Sequence, residues 1–127
     1  GNVDLLVSSV PSAIGQIKAG KMRAIAVTSA ARSTSLPETP TLAESGLKGF
    51  NVSTWYGIFM PRNTPTPIVN KVNAEVNKLL AMPEVKEAIM TQGAEPKAMS
   101  VQAFEQFFQT DFKANKAIVE ASGASIQ

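Results

Sequence analysis

A strand, helix and strand pattern at the start of the chain is the feature that most constrains the fold. Residues 3–10 (VDLLVSSV) are mostly apolar and end at Pro11, as in a buried strand that leads directly into a helix. Gly20 is a favourable residue at the end of that helix, and residues 22–28 (MRAIAVT) have the composition of a second strand. A crossover this short joins parallel neighbours, so the sequence predicts a βαβ unit and an α/β fold class.

The rest of the chain is predicted to contain a surface connection, a third strand and then a mainly helical part. In the connection, Thr41 and Glu44 have the spacing of a capping box. Residues 51–60 (NVSTWYGIFM) are aromatic and β-branched, as in a strand, and helical periodicity begins after Pro61. The last helix has Ser100 at its start and four phenylalanines that are predicted to lie in the core. These are Phe104, Phe107, Phe108 and Phe112.

The charge composition changes near residue 60. Residues 1–60 hold five basic and three acidic side chains, whereas residues 61–127 hold seven of each. Two interpretations stay open: two half-domains, or one sheet with the helices that cover it. The net charge of +2 is too small to indicate a nucleic-acid partner.

The chain has no histidine and no cysteine, which excludes several kinds of site. A Ser-His-Asp triad, a thiolate nucleophile and a zinc site of Cys or His ligands are all ruled out. The acidic residues show no close pair suited to acid–base catalysis or to an oxygen-ligand metal site. No catalytic residue, metal or cofactor is therefore predicted. No apolar run approaches the roughly 18–20 residues of a membrane helix, and no signal peptide is recognisable at the start.

Two segments are candidate ligand-binding elements. The first lies where the predicted strand ends and the helix begins, and it comprises Ser8, Ser9, Ser12 and Ala13. A helix start offers unpaired N–H groups and a partial positive charge, both of which suit an anion, although one of the serines could simply be an N-cap. The second comprises Trp55, Tyr56 and Gly57, an aromatic pair beside a glycine, which could line a binding cleft or pack in the core or at its rim.

Four segments of the chain follow one another in the order found in a known protein family. Residues 17–28 (IKAGKMRAIAVT) resemble "aGklraLAvt", and residues 36–46 (LPETPTLAESG) resemble "lPdvPTlaEaG". Residues 55–57 (WYG) with Pro61 are similar to "sW.Gl.aP", and residues 93–96 (GAEP) are similar to "G.ep". The family with these motifs is the tripartite tricarboxylate transporter receptor family, also called Bug proteins, and the resemblance extends over essentially all 127 residues.

This resemblance implies a periplasmic solute receptor with a two-lobed, type II-like periplasmic-binding-protein fold. The chain would be a C-terminal portion, with residues 1–50 in the second, ligand-binding lobe. Residues 51–127, a crossover strand and the C-terminal helices, would belong to the first lobe. The implied partners are a small carboxylate ligand and membrane transporter subunits, with no nucleic acid, no cofactor and no enzymatic activity.

The resemblance also implies that the serine segment faces the ligand, with Ser9, Ser12 and the N–H of Ala13 at the helix start. The family often has Asp or Asn where this chain has Ser8, whose neutral hydroxyl suits a carboxylate better than an amine. Two alternatives stay open. One is an interaction and oligomerisation module that self-associates through apolar surface and binds no ligand of its own. The other is a hydrolase that uses Ser12 and Lys18.

Overall fold

The computed structural model describes residues 3–123, and this part of the chain contains four helices. They are α1 (Val10–Lys18), α2 (Thr66–Ala81), α3 (Pro83–Thr91) and α4 (Val101–Ser122). The contacts divide the chain into two compact units. Unit 1 comprises Gly1–Phe59 and Leu80–Pro96, and unit 2 comprises Met60–Leu79 and Lys97–Gln127. The predicted division into lobes at residue 50 concerns a larger receptor and stays a prediction.

Helix α1 forms where the sequence predicts it. Pro11 occupies the first turn, where a missing N–H costs no helical hydrogen bond. The helix stops ahead of Gly20, whose φ of +69° suits glycine better than any residue with a Cβ. Ile14 lies on the inner face of α1 and is only 5% exposed. Among residues 3–123, the other buried hydrophobic side chain is that of Val27, which is 7% exposed.

The predicted βαβ unit is not confirmed, because residues 3–123 contain β-pairing at a single position. Val27 forms a parallel bridge with Thr41: the Val27 N–H donates to Pro40 O, and the Leu42 N–H donates to Val27 O, each at 2.9 Å. On the same segment, Thr28 O accepts a hydrogen bond from the Val52 N–H at 2.9 Å. Residues 27–28 therefore bond to two chain segments, as a short central strand would.

The segment before α1 differs most from its predicted role as a buried strand. Val3 is 75% exposed and Val7 is 85% exposed. An extended segment becomes a strand only when a neighbour pairs with its N–H and C=O groups, and no described segment pairs with residues 3–8. The apolar composition of this segment predicts burial, but it does not identify a pairing partner or a covering element.

The predicted capping box between Thr41 and Glu44 is confirmed. The Thr41 N–H donates to Glu44 Oε2 at 2.9 Å, and the Glu44 N–H donates to Thr41 Oγ1 at 3.0 Å. Arg32 adds an ion pair and a hydrogen bond that the sequence alone does not predict. Its Nε lies 2.9 Å from Glu44 Oε2, and its Nη1 donates to Pro37 O at 3.1 Å. Because Thr41 is only 1% exposed, this network anchors the connection between residues 29 and 49 in unit 1.

Acid should weaken this network. The hydrogen bond from the Thr41 N–H, and then the Arg32 guanidinium, lower the pKa of Glu44. A carboxyl group with a lower pKa in the folded state stabilises that state above its unfolded pKa and loses this effect as pH falls through the folded pKa. We therefore expect Glu44→Gln to reduce the free energy of unfolding at neutral pH, and the difference from wild type to be smaller at an acidic pH below the ordinary glutamate pKa of about 4.3.

Urea unfolding at the two pH values measures this difference. Glu38→Gln is the matched control, because Glu38 is an exposed carboxylate in the same connection. A difference between wild type and Glu44→Gln that is the same at both pH values would contradict the expectation.

In unit 2, two asparagines on α2 bind the backbone just before α4. Asn77 Nδ2 donates to Met99 O at 2.9 Å, and Asn73 Nδ2 donates to the same oxygen at 3.0 Å. The Met99 N–H donates to Asn77 Oδ1 at 3.3 Å. Ser100 then caps α4 as predicted, accepting from the Ala103 N–H at 3.1 Å. The side-chain amide of Asn77 thus pairs with both backbone polar groups of Met99, much as a neighbouring strand would.

The prediction that the four phenylalanines of α4 lie in the core is wrong. Phe112 is 57% exposed, and the other three are half-buried. Phe104 and Phe107 pack together at a centroid distance of 6.4 Å, and Phe108 and Phe112 do so at 6.1 Å. The spacing correctly places these rings along α4, but burial also needs a covering element. None of the helices in the described part combines the length and apolar character needed to cross a bilayer.

Candidate functional site

The predicted serine segment lies at the start of α1. Ser9 occupies the N-cap position in an extended conformation, with φ −70° and ψ 148°. Its side chain makes no capping hydrogen bond to the helix backbone. Instead, Ser9 Oγ and Ser12 Oγ lie 2.8 Å apart and share a hydrogen bond. The N-cap interpretation is therefore right about the position of Ser9 but does not account for what its hydroxyl does.

The backbone N–H groups of the first turn fall into two sets. The Ser12 and Ala13 N–H groups both donate to Ser9 O, at 3.1 and 3.2 Å. Pro11 has no N–H. Within residues 3–123, the N–H groups of Ser9 and Val10 donate to no acceptor. The helix start thus presents two adjacent unpaired N–H groups, and they belong to Ser9 and Val10, whereas the N–H of Ala13 is used inside the helix.

These donors form a site without formal charge. When two hydroxyls share one hydrogen bond, one of the two hydrogens stays available to an outside acceptor. Ser9 is half-buried and Ser12 is exposed, so the pair is accessible from one side. The first turn carries no acidic residue, and the positive end of the helix dipole adds to the attraction for an anion. Two N–H groups and one O–H group can together bind both oxygens of a carboxylate.

The structure brings Ser9, Ser12 and Ala13 together in the first turn of α1, whereas no hydrogen bond within residues 3–123 joins Ser8 or Trp55 to them. Ser8 is exposed, immediately before the N-cap. Trp55 is half-buried in an extended segment, with its ring centroid 6.3 Å from that of Phe59 and the two planes tilted by 42°. The roles of Ser8 and Trp55 in ligand binding stay predictions.

Val10 and Gly93 belong to this region, although the sequence did not single them out as site residues. The N–H of Val10 is unpaired because the helix has no C=O group three or four residues before it, and Pro11, the next residue, has no N–H. Gly93 has a φ of +82° and lies against Val10 and Ile14. In the sequence, the feature that could have drawn attention to Gly93 is its position as the first residue of the GAEP motif.

The arrangement does not favour the hydrolase interpretation. Ser12 lies in the first turn of α1 and Lys18 in the last, so their backbones are separated by about 9 Å along the helix axis. The Ser12 hydroxyl is bonded to Ser9 and not to a general base. In the described part of the chain, no group of three or more His, Cys, Asp or Glu residues is placed to hold a metal ion.

Comparison with known sequences assigns almost the whole chain to one family model. The model described as tripartite tricarboxylate transporter family receptor matches residues 1–124. A UPF0065 protein from the tcbD-tcbE intergenic region of Pseudomonas sp. strain P51 is 41% identical over 122 residues, which are 94% of this chain and 36% of that protein. Protein BugT of Bordetella pertussis is 30% identical over 121 residues, or 95% of this chain and 37% of BugT.

Solved structures agree with this assignment. The R. palustris protein Rpa4515, solved with adipate, has a TM-score of 0.81 and 30% identity over 90% of this chain and 38% of its own. The periplasmic binding protein BugD has a TM-score of 0.78 and 33% identity over 91% of this chain and 39% of its own. The chain thus spans 36% to 39% of the length of these four proteins, and its fold corresponds to part of theirs.

Proposed function

The chain belongs to the tripartite tricarboxylate transporter receptor family, and on that premise we propose that it is the carboxylate-binding part of a periplasmic solute receptor. The receptor captures a small carboxylate and delivers it to membrane transporter subunits, without catalysis and without a metal. In this proposal residues 1–50 belong to the ligand-binding lobe and residues 51–127 to the other lobe.

The start of α1 carries the proposal. The unpaired N–H groups of Ser9 and Val10 and the spare hydrogen of the Ser9–Ser12 hydroxyl pair are three neutral donors on one turn. Donors without acceptors favour a carboxylate over an amine or a metal ion, because an amine needs acceptors and a metal needs ligand oxygens. The hydrogen bonds would be charge-assisted, which makes them stronger than those to a neutral ligand.

The structural neighbour solved with adipate supports an aliphatic dicarboxylate as the first ligand to test. Adipamide is the matched neutral compound, since it keeps the chain length of adipate and removes both negative charges. We propose that the site discriminates strongly between the two. The second carboxylate of adipate would reach residues outside the serine segment, and Trp55 is the candidate within this chain.

The proposal is tested on the native receptor, meaning the full polypeptide of which this chain is a part. A panel of mono-, di- and tricarboxylates, including adipate, is screened by the shift in melting temperature, and the most strongly stabilising acid is then titrated calorimetrically. We expect at least one acid to bind and its neutral amide not to bind. If no acid in the panel raises the melting temperature, the proposed function is wrong.

The hydroxyl of Ser9 should contribute measurably to this affinity. Loss of one hydrogen bond to a charged group predicts that Ser9→Ala weakens binding of the selected acid by about tenfold or more. Thr110→Ala is the control, because it removes an exposed hydroxyl from α4 that donates within the helix. Calorimetric titration of the three proteins gives the comparison, and equal affinity in all of them would remove Ser9 from the site.

A second candidate function is favoured by one observation, the exposed apolar segment before α1. Leu5 is 71% exposed and Val7 is 85% exposed. Apolar surface of this kind favours association, so the chain by itself could act as an interaction module. Sedimentation of the isolated 127-residue chain distinguishes the two candidates. A folded monomer over the accessible concentration range would contradict the interaction module.

A further inference from the structure

The segment that follows α3 packs against the first turn of α1. Gly93 is buried, and a Cβ added to it would lie 3.0 Å from Val10 Cγ1 and 3.4 Å from Ile14 Cβ. Its φ of +82° is one that residues with a Cβ rarely adopt. Glycine is therefore favoured at position 93 for two reasons. The backbone adopts a positive φ, and Val10 leaves little room for a Cβ atom.

The same segment is fixed on its other side. Glu95 Oε1 accepts hydrogen bonds from the N–H and the hydroxyl of Thr34, both at 3.1 Å. The Ser35 hydroxyl donates to Met90 O at the end of α3, at 3.2 Å. Residues 90–95 thus lie bound to the connection on one side and in contact with α1 on the other. Because the segment is bound on the side of Thr34, extra volume at Gly93 is directed toward Val10.

From this geometry we infer that Gly93 is a positioning residue for the carboxylate site. The inference rests on the proposed function, in which the Val10 N–H is one of the donors. Gly93 lets the first turn of α1 lie directly on the segment after α3, which sets the direction of the N–H groups of Ser9 and Val10. Hydrogen bonds weaken steeply as their distance and angle depart from the ideal geometry, so a small shift of these N–H groups weakens binding.

The test compares two glycine substitutions in the native receptor. Gly93→Ala adds a methyl group against Val10, whereas Gly49→Ala adds one at a similar φ, +78°, with nothing within 4 Å. Both carry a similar backbone cost, so the comparison isolates the contact with Val10. We expect Gly93→Ala to weaken binding of the selected acid by about tenfold or more and Gly49→Ala to change it less than about twofold. Equal losses in both variants would overturn the inference.

A double variant provides the readout that a merely structural role would not move. Val10→Ala removes the Cγ1 atom that the new methyl group would meet, so Val10→Ala combined with Gly93→Ala should bind the acid more tightly than Gly93→Ala alone. A double variant that binds no better than Gly93→Ala contradicts the inference. The melting temperatures of all variants, measured without ligand, separate loss of stability from loss of affinity.

Glu95 gives a second test that does not depend on whether Gly93→Ala folds. Glu95→Ala removes both hydrogen bonds to Thr34, whereas Glu95→Gln keeps an oxygen acceptor at the same distance along the side chain. We expect Glu95→Ala to weaken acid binding several-fold and Glu95→Gln to restore most of it. If wild type binds an acid and Ser9→Ala weakens it, but neither Glu95→Ala nor Gly93→Ala does, the positioning role alone is wrong. If wild type binds no acid, the proposed function itself fails.

Discussion

Replacing Ser12 with aspartate should weaken carboxylate binding about 100-fold or more while making α1 more stable. An aspartate in the first turn interacts favourably with the helix dipole, by about 0.3–1 kcal/mol. The same carboxylate would lie beside the bound ligand, since Ser12 Oγ is 2.8 Å from Ser9 Oγ. Two like charges about 5 Å apart, at an effective dielectric constant of about 20, repel by roughly 3 kcal/mol. The expected loss of affinity is therefore about 100-fold or more.

Ser12→Asn is the matched control for this prediction. Asparagine has nearly the shape of aspartate but no charge, and its amide can still donate a hydrogen bond. We expect Ser12→Asn to bind the selected acid within about tenfold of wild type. Calorimetric titration measures affinity and thermal unfolding measures stability. If Ser12→Asp binds the acid as tightly as Ser12→Asn, the ligand carboxylate does not lie at the start of α1.

The second large effect concerns stability and is expected at Ile14. Its side chain is 5% exposed and lies against Gly93, so it joins α1 to the segment after α3. Removing most of a buried isoleucine side chain costs about 2–5 kcal/mol, through lost burial and the cavity that is left. Ile14→Ala should therefore lower the free energy of unfolding of the native receptor by that amount.

Ile17→Ala is the control, because it removes the same atoms from the same helix at a half-buried position. We expect it to cost less than half as much as Ile14→Ala. Urea unfolding of the three proteins at neutral pH provides the free energies. If the two substitutions lower the free energy of unfolding equally, Ile14 does not lie on the buried face of α1.

The parts of the fold that depend on neighbouring residues in the sequence were predictable. Pro11 and Gly20 correctly mark the start and the end of α1, because both residues act on the backbone within one turn. The Thr41–Glu44 capping box and the Ser100 cap are likewise set by residues three positions apart.

The parts that depend on distant residues were not predictable. Residues 3–10 have the composition of a strand, but a strand needs a partner, and composition does not identify one. The contact between Gly93 and Val10 and the ion pair between Arg32 and Glu44 join segments far apart in the sequence, and no local pattern connects them.

The helix start that carries the serine segment was predictable, but its hydrogen bonds were not. The serine segment does lie at a helix start, as the sequence indicated. The sequence could not show that the Ala13 N–H bonds to Ser9 O, or that the Ser9 and Ser12 hydroxyls bond to each other. Both depend on the exact backbone geometry of the first turn. As a result, the proposed donors are now the N–H groups of Ser9 and Val10 instead of the N–H of Ala13.

A crystal structure of the native receptor with the selected acid tests the central claim most directly. The claim is that the first turn of α1 binds a carboxylate through its unpaired N–H groups. We predict a carboxylate oxygen within about 2.7–3.2 Å of the backbone nitrogens of both Ser9 and Val10, and another within reach of the Ser9–Ser12 hydroxyl pair. A bound acid whose carboxylates all lie on other residues, with neither N–H group donating to the ligand, would contradict the claim.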